Sequence, residues 1–141
     1  MHGYSISTAT MKDFDKSRHA VFFLMYHVIF VVKYRRKIFD NEEITGFLRS
    51  TMERISDNHE VQLVESGCGD DHLHFLIKSN PKLDLIKYIN TAKTITSREI
   101  RRNFSEIKER LWGDHMWSPS YFISTSGNVT IDVLKQYIED Q

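Results

Sequence analysis

Hydrophobic positions along the chain change their period several times, and each change marks an element. From Phe22 to Val32 (FFLMYHVIFVV) hydrophobicity is nearly continuous and rich in β-branched and aromatic residues, as in a strand buried on both faces at the centre of a sheet. A basic stop, Lys33-Tyr34-Arg35-Arg36-Lys37, follows. Ile44, Phe47, Leu48, Met52 and Ile55 then recur at helical spacing, so a helix is expected behind a cap at Asp40 or Asn41, ending near Asp57-Asn58. Val61 to Glu65 reads as a second strand, Ser66 to Asp71 as a hairpin loop, and His72 to Lys78 as a third strand closed by Asn80-Pro81. A long helix is expected over about Leu83 to Phe104, with Leu85, Ile89, Ala92 and Ile95 on its inner stripe. After a linker containing Trp112-Gly113 and Trp117, Ser120 to Thr125 reads as a fourth strand, broken by Ser126-Gly127-Asn128. A last helix over about Val129 to Gln141 carries Ile131, Leu134 and Ile138.

The order β-α-β-β-α-β plus a helix is the split βαβ arrangement of ferredoxin-like α+β domains, with a central antiparallel sheet and an extra C-terminal helix. At 141 residues the chain suits one domain. We expect residues 1–19 to be a loose polar arm and residues 20–141 to be that domain. Composition changes the picture mainly by exclusion. Nineteen basic residues balance nineteen acidic ones, so there is no global cationic field, and a nucleic acid must be met by local patches. The single cysteine, Cys68, excludes an internal disulfide framework and a Cys-rich zinc site, which suits a reducing cytoplasm. The longest apolar run, Ala20 to Val32, is interrupted by Tyr26 and His27 and is too short to span a bilayer. Met1 to His19 lacks the pattern of a signal peptide. A cytoplasmic protein with no membrane partner is expected.

The sharpest candidate chemistry is His72-Leu73-His74 in the third strand. Side chains at i and i+2 leave one face about 6.6 Å apart, so two imidazoles can converge on a divalent cation while Leu73, Phe75 and Ile77 pack behind them. The plain alternative is a pair of half-exposed strand histidines. Asp71 is either an acceptor that fixes an imidazole or a hairpin residue, and Cys68 is either a soft ligand or an inert loop thiol. In the last helix Tyr137 and Gln141 stand four apart on one face, a phenol able to act as a nucleophile beside an amide able to ligate a hard cation; alone, such a tyrosine is more often a packing residue. Lys33, Arg35, Arg36 and Lys37, with Tyr34 interleaved, place four cations in five residues. Lys87 to Arg110 holds seven cations, Lys93 and Arg98 among them, against three anions. Both patches suit phosphate contacts, and Tyr34 suits stacking on unpaired bases; solvated faces are the bland reading. His27 reads as a core histidine. No Walker loop, nucleophile elbow or dinucleotide fingerprint is present.

Taken together, these segments resemble the TnpA-type single-tyrosine HUH transposases of the smallest insertion sequences. The resemblance rests on Tyr26 to Arg35 as first strand, His72-Leu73-His74, Trp117-Ser118-Pro119-Ser120-Tyr121-Phe122 and Val133 to Gln141. It implies that residues 20–141 are one catalytic domain, in which His72, His74 and Gln141 bind Mg²⁺ or Mn²⁺ and Tyr137 attacks a scissile phosphate to give a 5′-phosphotyrosine. It also implies a homodimer with shared active sites, acting on single-stranded transposon ends folded into hairpins. Lys33, Tyr34, Arg35, Arg36, Lys37, Lys93 and Arg98 are the expected DNA contacts. Two departures stand out. Gly67-Cys68-Gly69-Asp70-Asp71 replaces the Pro-Asp pair that precedes the histidines in many members, and the sequence ends at Gln141 where many continue, so a terminal carboxylate can compete with the amide for the metal. Two other readings stay open: a domesticated protein that binds hairpin DNA or RNA without transposition, and a metal-dependent hydrolase that activates water.

Overall fold

The computed structural model describes residues 15–17, 20–22, 24–111, 113, 115–125 and 131–141, of which 15–17, 20–22 and 131–134 are described by backbone alone. Two short strands, β1 (Asp15–Ser17) and β2 (Ala20–Phe22), pair antiparallel. Strand β3 (Leu24–Val31) is followed by a 3-10 turn over Lys33–Arg35 and then by α1 (Glu42–Asn58). The hairpin of β4 (Gln62–Cys68) and β5 (His72–Ser79) leads to α2 (Leu85–Asn103) and a short α3 (Ser105–Arg110). Strand β6 (Phe122–Thr125) and helix α4 (Ile131–Glu139) follow, and Asp140 and Gln141 lie past the end of the helix expected to reach Gln141.

The main sheet runs β4-β5-β3-β6, with every neighbouring pair antiparallel. Strand β5 therefore lies between β3 and β4, which run parallel to each other with α1 as their connection. This is the split βαβ arrangement expected from the element order. Strand β3 is central, and Val28 to Val32 are buried without a break, because both faces of the strand are covered. Helices α1 and α2 pack on one face of the sheet. There Phe30, Leu73, Phe75 and Ile77 meet Leu48, Met52, Ile89 and Ala92 in a single core.

Local chemistry explains the boundaries. Asn41 caps α1 by accepting from the Ile44 amide at 2.9 Å, and Asp84 caps α2 through the Lys87 amide at 3.1 Å. Phe104 leaves helical geometry at φ −131° and ψ 86°, which separates α2 from α3 within what reads as one periodic run. Strand β4 continues to Cys68, so the hairpin loop is shorter than the Ser66–Asp71 span expected from the glycines. Within the expected N-terminal arm, residues 15–17 form strand. Most of the rest of that arm, Trp112 and the Ser126-Gly127-Asn128 break lie outside the described residues, as do the side chains of Ile131 and Leu134.

Candidate active site

Strand alternation assigns the two histidines their face. Leu73, Phe75 and Ile77 are buried in the core, and His72 and His74 leave the opposite side of β5 with ring centroids 5.9 Å apart and ring planes inclined by 33°. Asp71 is buried beside them. Its Oδ1 accepts from His72 Nδ1 at 2.9 Å and its Oδ2 accepts from Arg35 Nε at 3.2 Å. Burial works against the charged carboxylate, but the hydrogen bonds and charges of His72 and Arg35 outweigh it and hold its pKa below the ordinary value. Of the two roles open to Asp71 in the sequence, the structure selects the acceptor. With Nδ1 of His72 engaged, Nε2 is the nitrogen free to meet a cation. Desolvation lowers the His74 pKa, the nearby His72 lowers it further, and Glu65 opposes both, so the ring is neutral and ready to donate a lone pair at neutral pH.

The glycines of the hairpin make room for both rings. Gly67 pairs with His74 across the ladder, and a Cβ there would lie 2.7 Å from His74 Nε2. Gly69 donates its amide to the His72 carbonyl at 2.9 Å, and a Cβ there would lie 2.6 Å from His72 Nδ1. Both distances are below any real Cβ contact, so a side chain at either place displaces an imidazole. The hairpin glycines are thus a steric cradle. Cys68 belongs elsewhere: it pairs with the core residue Leu73 and packs against the core, and burial pushes its thiol up to about 11. It is not a ligand beside the imidazoles. His27 is half-buried on the histidine face of the sheet, opposite Leu76, rather than deep in the core. Burial lowers its pKa, against the opposing charge of Glu65.

Tyr137 and Gln141 lie over the other edge of the same face. One transverse row of the sheet runs Gly67, His74, Ile29, Phe122, so all four side-chain positions face one way. The Phe122 ring packs on Tyr137 with centroids 5.1 Å apart, two strand spacings or roughly 10 Å along the row from His74. Tyr137 Oη is 3.5 Å from Ser120 Oγ, and Gln141 Oε1 accepts from Ser120 Oγ at 2.9 Å and Ser118 Oγ at 3.4 Å. Burial raises the phenol pKa and the Ser120 contact partly offsets it. The segment carrying these serines is fixed from below. Trp117 Nε1 donates to Thr96 Oγ1 at 2.9 Å, and Lys93 Nζ donates to the carbonyls of Ser118 and Pro119 at 2.8 and 3.1 Å. Partial burial lowers the Lys93 pKa. Among the described residues, no three His, Cys, Asp or Glu side chains gather to hold a metal ion.

The two basic segments meet. An open groove of about 470 Å³ is lined by Lys33 from the first and by Lys93 and Arg101 from the second, with His115 and Trp117 between them. Tyr34 is exposed, Arg35 is engaged with Asp71, and Arg98 lies 3.7 Å from Glu99. Lys37 is exposed, and its carbonyl accepts from Arg110, which also pairs with Asp40 at 3.2 Å.

Residues 20–141 match the family model described as "Transposase IS200 like". The chain belongs to the IS200-like transposase family. The ISDra2 transposase TnpA of Deinococcus radiodurans is 30% identical over 129 residues, spanning 92% of this chain and 91% of that protein. The IS200 transposase of Salmonella typhimurium is 26% identical over 131 residues, 93% of this chain and 85% of that one. A crystal structure from Deinococcus radiodurans R1 superposes with a TM-score of 0.83 at 28% identity, covering 90% of this chain and 97% of the other. The IS200-like fold is thus the mixed α+β sheet described above. No described helix of this IS200-like chain is long and apolar enough to cross a membrane. Sequence reasoning missed the glycine cradle and the Lys93 clasp. Counting back across the hairpin from His74 would have found Gly67; nothing in the sequence indicates the clasp.

Proposed function

We propose that this transposase cleaves and rejoins single-stranded DNA at hairpin-bearing transposon ends, through a covalent tyrosine intermediate and with a divalent metal. The observation that carries the reading is the prepared histidine pair: two imidazoles on one face, one fixed by Asp71, both cradled by glycines, on the sheet face that also carries Tyr137. The donor types suit a metal, although Gln141 Oε1 is here held by Ser118 and Ser120 at the other edge of the face and must leave them to join the histidines. His72 and His74 would bind Mg²⁺ or Mn²⁺ through ring nitrogens, with the Gln141 amide oxygen as a third donor, a set mixed enough for a borderline or hard cation. When bound, the ion supplies Lewis acidity at the scissile phosphate.

The protein's own part is nucleophilic. Tyr137 Oη forms a bond to phosphorus, the bond from phosphorus to the 3′ oxygen breaks, and that oxygen leaves as a 3′-hydroxyl with the proton the phenol gives up. The phenol rests protonated at neutral pH, burial raising its pKa further, so its proton must leave in the course of the reaction. The phosphodiester bond energy is kept in the tyrosine link, so the 3′-hydroxyl of another strand can reverse the step without ATP. Lys33, Arg36, Lys37, Lys93 and Arg98 supply the field that holds the DNA backbone. We further propose a homodimer, in which the Tyr137 helix and the histidine pair of a working site come from either subunit.

The test is strand transfer. A labelled hairpin oligonucleotide from the flanking locus is mixed with an unlabelled acceptor, Mg²⁺ and no ATP. A longer labelled recombinant is expected. Cleavage that gives only hydrolysed ends would support activated water instead, and binding without cleavage in the presence of bound metal would support a domesticated hairpin-binding protein.

A further inference from the structure

Two consecutive residues after β3, Tyr34 at φ 61° and Arg35 at φ 54°, adopt the left-handed backbone that side chains rarely favour. Such geometry costs free energy and persists where the surroundings impose it. Here the turn is held on both sides. Arg35 donates its amide to the Val32 carbonyl at 2.8 Å, Lys33 to that of Met116 at 2.8 Å, and Val32 to that of Asp71 at 2.8 Å. The conformation sends neighbouring side chains to different tasks. Arg35 turns to Asp71, and through that carboxylate stands two hydrogen bonds from the His72 ring. Tyr34 stands out with 67% of its surface exposed, the most exposed large hydrophobic side chain among the described residues. Lys33 Nζ lies 5.4 Å and Arg36 Cζ 5.8 Å from its ring centroid. Lys33 also lines the basic groove with Lys93 and Arg101.

We propose that the Tyr34 ring is a stacking site for one unpaired nucleobase next to the phosphate held at the histidine pair. This rests on the single-strand reading above and adds the position that the ring occupies. A largely exposed ring has a π-face that any base can cover, while its two cations suit the phosphates on either side of that base. On stacking, the base replaces a cation on the ring, and that cation moves to a phosphate. The held turn ties the Tyr34 backbone to Asp71 and so to His72, and a base stacked on the ring would bias which phosphate reaches the metal-binding pair. The basic groove leads the strand onward from Lys33.

The experiment uses the full chain with Mg²⁺ and a hairpin oligonucleotide carrying a single-stranded oligothymidylate tail. A set of the same oligonucleotide has one abasic residue stepped along the tail. Wild type, Tyr34→Ala and Tyr34→Trp are compared by affinity, with thermal melting as the control for folding. For wild type, one or two adjacent tail positions should show an abasic penalty of about 5- to 100-fold. Tyr34→Ala should bind the intact tail weaker by a similar factor and lose the penalty at those positions alone, and Tyr34→Trp should keep it. An identical abasic profile in wild type and Tyr34→Ala would overturn the stacking site while leaving the single-strand reading intact. A change of oligomeric state in Tyr34→Ala, with the profile unchanged, would assign the ring to a protein contact and overturn it as well. Failure of wild type to prefer the tailed hairpin over plain duplex would remove the parent reading and the stacking site together.

Discussion

Asp71 and His72 are neighbours in sequence, and their side chains are bonded to each other: the carboxylate accepts from Nδ1 at 2.9 Å while its other oxygen holds Arg35. This fixes the protonated nitrogen of His72 and leaves Nε2 as the nitrogen with a lone pair for a cation. Asp71→Asn keeps the volume but loses the anionic acceptor. Mn²⁺ affinity, measured by calorimetry, is expected to fall about 10- to 100-fold with the fold retained. Unchanged affinity would show that His72 needs no help from the carboxylate.

Alanine at Gly67 or Gly69 tests the cradle. The added methyl group would overlap His74 in the first case and His72 in the second, so each ring must swing away. Both variants should bind Mn²⁺ more weakly than wild type and cleave DNA more slowly. Gly46→Ala, where a methyl group meets nothing within 4 Å, is the control and should change neither. Equal effects at all three positions would mean that the glycines act through the backbone and not through the rings.

Lys93 joins α2 to the segment that carries Ser118 and Ser120. Because the ammonium keeps partial contact with solvent, Lys93→Met is expected to cost about 1 kcal/mol of stability. Amide exchange should quicken at residues 118–121. Lost DNA affinity with unchanged exchange would make Lys93 a phosphate contact alone.

Cys68 provides a pH-dependent observable. Burial pushes its thiol up to about 11. A raised thiol pKa means less thiolate at every pH below it, so iodoacetamide should react at pH 8 about 100-fold more slowly than with an exposed thiol of ordinary pKa. The rate should keep rising tenfold per pH unit beyond the point where an ordinary thiol levels off. Fast alkylation at pH 8 would place the thiol in solvent and reopen its role as a ligand.

What the sequence disclosed follows from how local each feature is. The β3 run, the alternation of Leu73, Phe75 and Ile77 with the two histidines, and the Asn41 cap all depend on residues within a few positions of one another, and each stands where its pattern indicates. The role of Asp71 depends on Arg35, thirty-six positions away, and stayed open until the sheet brought them together. The break at Phe104 is a backbone turn inside an unbroken helical pattern, which periodicity does not register. The left-handed Tyr34 and Arg35 carry no glycine or asparagine to signal them. Tyr137 stands in α4 but Gln141 lies two residues past its end, and their serine partners come from the segment before β6 and depend on tertiary packing.

The covalent intermediate is the most direct test of the central claim. Wild type and Tyr137→Phe are incubated with labelled single-stranded hairpin DNA from the flanking locus, with and without Mn²⁺, and resolved on a denaturing gel. The expected result is a protein-linked DNA band that requires the metal, appears in wild type and is absent from Tyr137→Phe, which still binds the DNA. Cleavage that persists in Tyr137→Phe, or an adduct that forms without His72 and His74, would contradict a transesterification carried by this tyrosine and this histidine pair.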